Sequence, residues 1–234
     1  MNSKPIVLIT GATGGLGGPV TRAFLAAGAH CIATYRKEAE FADLAKTCDP
    51  LDRLEGQAAD LTEAASVDAL FATIRDRHGR LDVLANLVGG FWMGPAIADT
   101  DPADWQRMIT LNLTTAFLVN RGAAALMADR GGQIINVSAR PALELPAGMG
   151  AYGVSKAGVL ALTEVVAKEG KDHGIRANAV LPGVIDTPAN REAMPDADPG
   201  DWVTPEAIAA QMVAIALSER PALSGTALKM YGKM

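Results

Sequence analysis

The stretch Ile6-Val7-Leu8-Ile9-Thr10-Gly11-Ala12-Thr13-Gly14-Gly15-Leu16-Gly17 decides how this chain folds. Ile6 to Thr10 is a short apolar run that gives way at once to glycines. It lacks the alternation of a half-exposed strand, so it reads as a strand buried on both faces, the kind found in parallel sheets. Beyond the glycines, Val20, Ala23, Phe24, Leu25 and Ala26 fall at helical spacing, and Gly28 ends the helix. His30 to Tyr35 then returns as a second strand. Strand, glycine loop, helix and strand within about thirty residues make one βαβ unit.

The alternation continues to the end of the chain. Glu38 to Cys48 reads as helix, Leu54 to Asp60 as strand, and Thr62 to His78 as helix with Val67, Leu70, Phe71 and Ile74 on one face. Leu81 to Val88 is a strand stopped by Gly89 and Gly90. Asp101 and Pro102 mark a helix start, with Asp at the cap and Pro in the first turn. That helix runs, with one break, to about Ala128. Gly132 to Ser138 is a strand, and a helix through Tyr152 extends to about Asp172. Ile175 to Leu181, Pro205 to Leu217 and Thr226 to Tyr231 read as strand, helix and strand. The expected fold is α/β: a Rossmann-type, doubly wound, three-layer arrangement around a seven-stranded, mostly parallel sheet. Residues 1–234 form a single domain in this reading. Residues 186–203, rich in Pro, Asp and Ala and without periodicity, read as a substrate loop within it.

Composition removes several classes of function. About half of the 234 residues are hydrophobic, at 49 %, enough for one large core. The net charge is −5 and the charges are interspersed, so neither nucleic acid nor an anionic membrane is an expected partner. The apolar run after Met1 is too short for a signal peptide or a membrane span, which points to a cytoplasmic protein. Cys31 and Cys48 lack metal-ligand spacing and are expected as free thiols. His30, His78 and His173 are scattered near element ends, so no metal is expected.

Two stretches carry chemistry. Glycines between a first strand and a first helix let the backbone approach a pyrophosphate, which the helix N-terminus attracts. The second stretch is Ala151-Tyr152-Gly153-Val154-Ser155-Lys156, before the apolar run Ala157 to Val166. Tyr152 and Lys156 share a helix face. A phenol titrates near ~10, and a neighbouring ammonium favours its ionised form. Bringing it to ~7 requires roughly 4 kcal/mol of differential stabilisation and yields a proton donor and acceptor poised at neutral pH.

The pattern Thr10-Gly11-(three residues)-Gly15-Leu16-Gly17, with Asn86 and Gly89 in Asn86-Leu87-Val88-Gly89, Asn112, the Tyr152/Lys156 pair and Pro182-Gly183-Val184-Ile185-Asp186-Thr187, resembles the short-chain dehydrogenase/reductase family over nearly the whole chain. The resemblance implies a nicotinamide-dependent oxidoreductase that moves a hydride between the cofactor and a carbonyl or alcohol carbon. It implies catalytic roles for Tyr152, Lys156 and Asn112. It implies cofactor contacts from Gly11, Thr13, Gly15, Leu16, Gly17, Asp60, Leu61, Asn86, Gly89, Tyr152, Lys156, Pro182, Gly183, Ile185 and Thr187. It also implies a homo-oligomer, a dimer or tetramer, built on the helices around residues 102–128 and 150–172.

The chain departs from that family at one position. The family usually carries a serine at the end of the fifth strand, where this chain has Ala139. Ser138 is the neighbouring hydroxyl, but adjacent strand residues point to opposite faces. Ser138 assists Tyr152 only if the strand end bulges or the loop Arg140 to Gly150 absorbs a residue. The alternative is a subgroup without the serine, as in dihydropteridine reductase, acting on an activated C=N substrate. A cofactor-binding sensor without catalysis is a third reading, against which the intact Tyr152, Lys156 and Asn112 argue. The second strand ends in Tyr35-Arg36-Lys37 with no acid before Glu38, which favours NADP(H) over NAD(H) through Arg36, with Tyr35 against the adenine side. Phe91, Trp92 and Met149 are the substrate-wall candidates and suggest a small, apolar substrate molecule.

Overall fold

The computed structural model describes residues 4–218 and 222–233. All seven expected strands are present: β1 Ile6–Thr10, β2 His30–Tyr35, β3 Leu54–Ala58, β4 Val83–Asn86, β5 Gly132–Val137, β6 Ile175–Pro182 and β7 Ala227–Met230. They pair in the order β3-β2-β1-β4-β5-β6-β7, and every pairing is parallel. The order reverses between β1 and β4. At that switch point the loops leave the carboxyl ends of the strands in opposite directions and open a crevice.

Helices cover both faces. Alternate residues of β1 sort to the two sides, as the period of a strand requires. Val7 and Ile9 pack with Phe24 and Leu25 of α1 (Gly17–Ala26), and with Ile208 and Met212 of α9 (Pro205–Ala216). Leu44 of α2 (Glu38–Lys46) borders that layer. Ile6 and Leu8 pack with Leu70 and Ile74 of α3 (Ala64–His78), Leu118 and Val119 of α5 (Thr115–Met127), and Val166 of α7 (Gly150–Glu169). Caps follow the sequence signals. Asp101 accepts from Ala103 N ahead of α4 (Pro102–Met108), and Thr204 accepts from Ala207 N ahead of α9, each with Pro in the first turn.

The one break expected in the helix after Asp101 is a π-helical segment, Ile109–Thr114, joining α4 to α5. Two loops hold more structure than their composition suggested. The segment after β5 contains α6 (Pro141–Glu144), and residues 186–203 contain α8 (Pro188–Ala193), capped by the Thr187 hydroxyl. Residues 186–203 are also tied down at both ends, because Ile185 bridges Val203 in parallel fashion.

Candidate active site

The first part of the site is the turn out of β1. Gly11 has φ +65, a left-handed conformation that a side chain would strain. A Cβ on Gly17 would stand 2.2 Å from Gly11 O, so α1 begins in direct contact with the loop that feeds it. No side chain caps α1 and no acid lies in its first turn; the Gly17 and Gly18 amides donate to Gly14 O, so the glycine loop itself closes the helix start and the positive end of the helix dipole faces that loop. Beside it runs a groove of about 350 Å³. Gly11, Thr13, Gly15, Leu16 and Gly17 form one wall. Tyr35, Arg36, Asp60 and Leu61 form the far end, and Gly89 lies at the β4 side. Ten of the expected cofactor residues are thus gathered on one cleft at the switch point.

The groove's outer end has mixed charge. Arg36 is exposed and makes no ion pair among the described residues. Glu40 lines the same groove, accepts from Thr13 Oγ1 at 3.4 Å and pairs with Lys37 at 3.3 Å. Sequence reasoning missed Glu40, since an acid in the first turn of a helix is already accounted for by the helix dipole. Tyr35 stacks on Phe41 with ring centroids 5.2 Å apart, which fixes its ring at the groove's edge. The Asp60 carboxylate accepts from Thr62 N and Oγ1, and these bonds hold it below the usual carboxylate range.

Asn86 is corrected. Its side chain is 2 % exposed and does not line the groove. Its Oδ1 accepts from Thr10 Oγ1 at 2.8 Å and its Nδ2 donates to Asn136 Oδ1 at 2.9 Å. Asn120 Nδ2 donates to the same oxygen, and Asn136 Nδ2 donates to Asn120 Oδ1 and Thr163 Oγ1. This buried ladder joins β1, β4 and β5 to α5 and α7 just below the site, and Thr10 Oγ1 also accepts from Leu87 N where the β4 loop departs. The side chains of the strand-end asparagines therefore face the interior and fix the loops that leave β1 and β4.

The second part is the face of α7. Lys156 is 5 % exposed, and its Nζ donates to Val137 O at 3.0 Å. Both Lys156 Nζ and Asn112 Oδ1 lie 2.7 Å from where a Cβ on Gly89 would stand, so only a glycine admits them together. Asn112, placed by the π-helical segment, brackets Gly90. Its Oδ1 accepts from Gly90 N at 2.8 Å, and its Nδ2 donates to Gly90 O and to Ser155 Oγ. The amide thus pins the β4 loop to α7 beside Lys156.

Tyr152 is 9 % exposed and sits in a small apolar cluster with Met108, Ala139 and Ala151. Trp92, Trp105, Leu111 and Met149 pack around it. Phe91, itself 62 % exposed, meets the Tyr152 ring edge-on at 5.1 Å. Of the three substrate-wall candidates, Phe91 meets the Tyr152 ring, and Trp92 and Met149 pack against the cluster that holds it. The expected ionisation is not in place, however. Burial pushes the Tyr152 phenol up to about 12, and burial brings the Lys156 ammonium down to about 8. Desolvation outweighs any attraction between them, because Lys156 is turned to the Val137 carbonyl. The group on offer at neutral pH is a neutral phenol, a donor.

Ser138 is not brought to that phenol. Its Oγ donates to the backbone carbonyl of Lys156 at 2.8 Å and the residue is 2 % exposed. The strand does not bulge, alternation holds, and Ala139 is the residue that packs with Tyr152.

The Pro182–Thr187 segment closes the site from above. Pro182 ends β6, and Gly183 N donates to Met230 O. A Cβ on Gly15 would stand 2.9 Å from Thr187 Cγ2, so Thr187 lies directly over the glycine loop. Ile185 O accepts from Thr187 N and from Asn190 Nδ2, and Asp186 holds Arg191 through two bonds of 2.6 and 2.8 Å. A nicotinamide dinucleotide fits these residues on two grounds: the close-packed glycine turn at the positive end of α1, without a side chain or acid in its way, and the paired Lys156 and Asn112 at the Gly89 face.

Away from the site, the structure brings two of the three histidines together. His30 and His78 are far apart in the chain, yet both reach Glu55, at 2.7 and 3.2 Å. His173 stands apart and bonds Ala128 O. The two cysteines are free and buried.

The sequence matches the model of the short chain dehydrogenase family over residues 5–198. It is 34 % identical to 3beta-hydroxysteroid dehydrogenase 1 of Eggerthella lenta, across 97 % of this chain and 92 % of that protein. It is 33 % identical to a 3-oxoacyl-[acyl-carrier-protein] reductase of Synechocystis, across 78 % of this chain and 74 % of the relative. Among solved structures, ElxO with NADP bound superposes with a TM-score of 0.92 at 26 % identity, covering 98 % of both chains.

Proposed function

Because this chain belongs to the short chain dehydrogenase family, and is a nicotinamide-dependent oxidoreductase on that ground, we propose that it reduces the carbonyl of a small, apolar molecule, with NADP(H) preferred over NAD(H). The observation that carries the reading is the neutral Tyr152 phenol facing an apolar cluster, with Lys156 and Asn112 gathered beside it at Gly89. The nicotinamide supplies the hydride when bound. Tyr152 Oη donates the proton to the substrate oxygen, Lys156 holds the ribose hydroxyls, and Asn112 keeps the Gly89–Gly90 backbone at the right height. Thr187 and the Ile185 backbone orient the carboxamide. Trp92, Met149 and Phe91 exclude water from the reacting carbon. Arg36 supports the preference for a 2′-phosphate, against which Glu40 works.

Bulky apolar side chains exposed on α5 (Phe117) and α7 (Val154, Val165) support a homo-oligomer built on those helices. Among the described residues no helix is long and apolar enough to cross a membrane.

Ala139 beside the phenol favours a second reading, reduction of an already activated C=N group, since no side-chain donor from that position shares the substrate oxygen's charge. NADPH oxidation across a panel of apolar ketones and quinonoid dihydropterins separates the two. Tyr152→Phe is expected to bind NADPH with unchanged affinity and to lose turnover on every substrate of the panel. Turnover retained by that variant refutes the assignment.

A further inference from the structure

We propose that His30, Glu55 and His78 form a binding site for a divalent transition metal of the Zn²⁺ type, with water completing a tetrahedron. The three residues come from three separate elements. His30 opens β2, Glu55 lies on β3, and His78 is the last residue of α3. Their ligand atoms, two imidazole nitrogens and a carboxylate oxygen, all lie within 4.8 Å of one another.

The atoms that face each other are the ones a metal would use. His30 Nε2 stands 2.7 Å from Glu55 Oε1 and His78 Nε2 stands 3.2 Å from Glu55 Oε2, with ring centroids 5.1 Å apart. Around a tetrahedral ion bonded at 2.0–2.2 Å, neighbouring ligand atoms are about 3.4 Å apart. The contacts open by about 0.7 Å at His30 and about 0.2 Å at His78 on loading, which side-chain torsions absorb. Two imidazoles with one carboxylate suit Zn²⁺ and its neighbours, not Mg²⁺ or Ca²⁺, which take all-oxygen shells. The side chains are 19 %, 31 % and 13 % exposed, so the cluster is sheltered yet open to an entering ion. One charge opposes it: Arg77 Nη1 lies 3.8 Å from Glu55 Oε2. Its side chain is 59 % exposed, so it can swing into solvent without breaking any packing.

The site is distinct from the active site. His30 and Tyr35 mark opposite ends of β2, and five steps of about 3.3 Å separate the two ends by roughly 17 Å. A metal here staples the start of β2 to edge strand β3 and to the end of α3. It holds the half of the sheet whose other end carries Tyr35 and Arg36.

The test is Zn²⁺ titration of the full-length, tag-free, chelator-stripped protein by calorimetry, with Co²⁺ absorption as a second readout. Expected are one ion per chain at micromolar affinity or better and a visible tetrahedral Co²⁺ spectrum. At ~100-fold excess over Kd, Tm rises by roughly 5–10 °C. His30→Gln and His78→Gln each weaken binding by at least about tenfold and remove the Co²⁺ spectrum, while His173→Gln leaves both unchanged. Melting curves and NADPH binding establish that each variant is folded. Absence of saturable binding to the wild type overturns the proposal. So does a folded His30→Gln or His78→Gln protein that binds Zn²⁺ as tightly as the wild type.

Discussion

Replacing Lys156 by Met should stabilise the protein while disabling it. Burial brings the Lys156 ammonium down from 10.5 to about 8. At about 1.4 kcal/mol per pKa unit, that gap amounts to about 3 kcal/mol. The folded value lies below the unfolded one. Between pH 8 and 10.5 the unfolded chain therefore binds more protons, and stability from this group rises with pH across that window. Below pH 8 the whole penalty is in force, so at neutral pH the charged lysine costs about 3 kcal/mol. Met keeps the aliphatic length and removes the charge, but it leaves Val137 O without its donor, which costs about 1–3 kcal/mol. The expected net gain at neutral pH is about 1 kcal/mol, or a Tm rise of ~2–4 °C. Turnover should fall by roughly 10²-fold or more, on the proposal that Lys156 holds the cofactor's ribose. The assay is urea unfolding of both proteins at one protein concentration, at pH ~7 and ~9.5. Tyr152 and the rest of the chain cancel in the difference. Wild type should gain about 2 kcal/mol on the variant between the two pH values. A variant less stable than wild type at neutral pH, or a difference that ignores pH, refutes the burial argument.

Ala139→Ser should raise kcat/KM on unactivated ketones by roughly 10–100-fold by adding a second donor beside Tyr152, at a cost of about 1 kcal/mol in stability; steady-state kinetics and thermal melts check both. Arg36→Ala should raise KM for NADPH by roughly 10–100-fold and leave KM for NADH within about twofold, whereas Glu40→Gln should lower KM for NADPH a few-fold. Equal effects on the two cofactors would remove Arg36 from the 2′-phosphate.

The fold was legible because its signals are local. Ile6 to Thr10 has no polar alternation, and a strand with that pattern must be buried on both faces. Each later run is bounded by glycine, proline or a capping residue, which is why the strands fall where expected and only the ends differ by a residue or two. The site was legible where a motif also constrains the backbone. Gly11 needs its positive φ, Gly17 has no room for a Cβ, and Asn112 lies in a π-helical break of its helix with its side chain bonded to Gly90 and Ser155. What escaped was set by contacts between distant elements. Asn86 at a strand end could face groove or interior, and only the partners Thr10, Asn136 and Asn120 decide for the interior. Glu40 reaches Thr13 across two βα turns. His30 and His78 meet because β2 pairs with β3, a fact of topology that residue spacing does not carry. The ionisation of Tyr152 was misjudged for a related reason. Helical spacing puts Lys156 on the same face, but the direction of its ammonium is decided by the Val137 carbonyl on β5.

The neutral phenol and the missing serine together constrain the chemistry more than either alone. A phenol titrating at about 12 keeps its proton at neutral pH, so a donor is present and a phenolate base is scarce; the same burial makes that donor a weak acid, which gives up its proton only as the substrate oxygen becomes strongly basic. Reduction therefore starts from the proton-bearing form of Tyr152 that burial maintains, and oxidation from the scarce phenolate. The oxyanion, however, meets one side-chain donor where a site with the serine offers two, and a single donor of this kind is worth about 3–4 kcal/mol in the transition state. That deficit must be made up by the substrate. Two sources are open. The apolar part of the substrate can be held by Trp92, Met149 and Phe91, so that binding energy remote from the carbonyl is realised as positioning. Or the reacting carbon can be electron-poor from the start, as in a conjugated or iminium group. Both lead to the same expectation: ketones that carry neither an apolar group for this wall nor an activated carbon are the poorest substrates of this enzyme, and Ala139→Ser improves them by a larger factor than it improves its best ones.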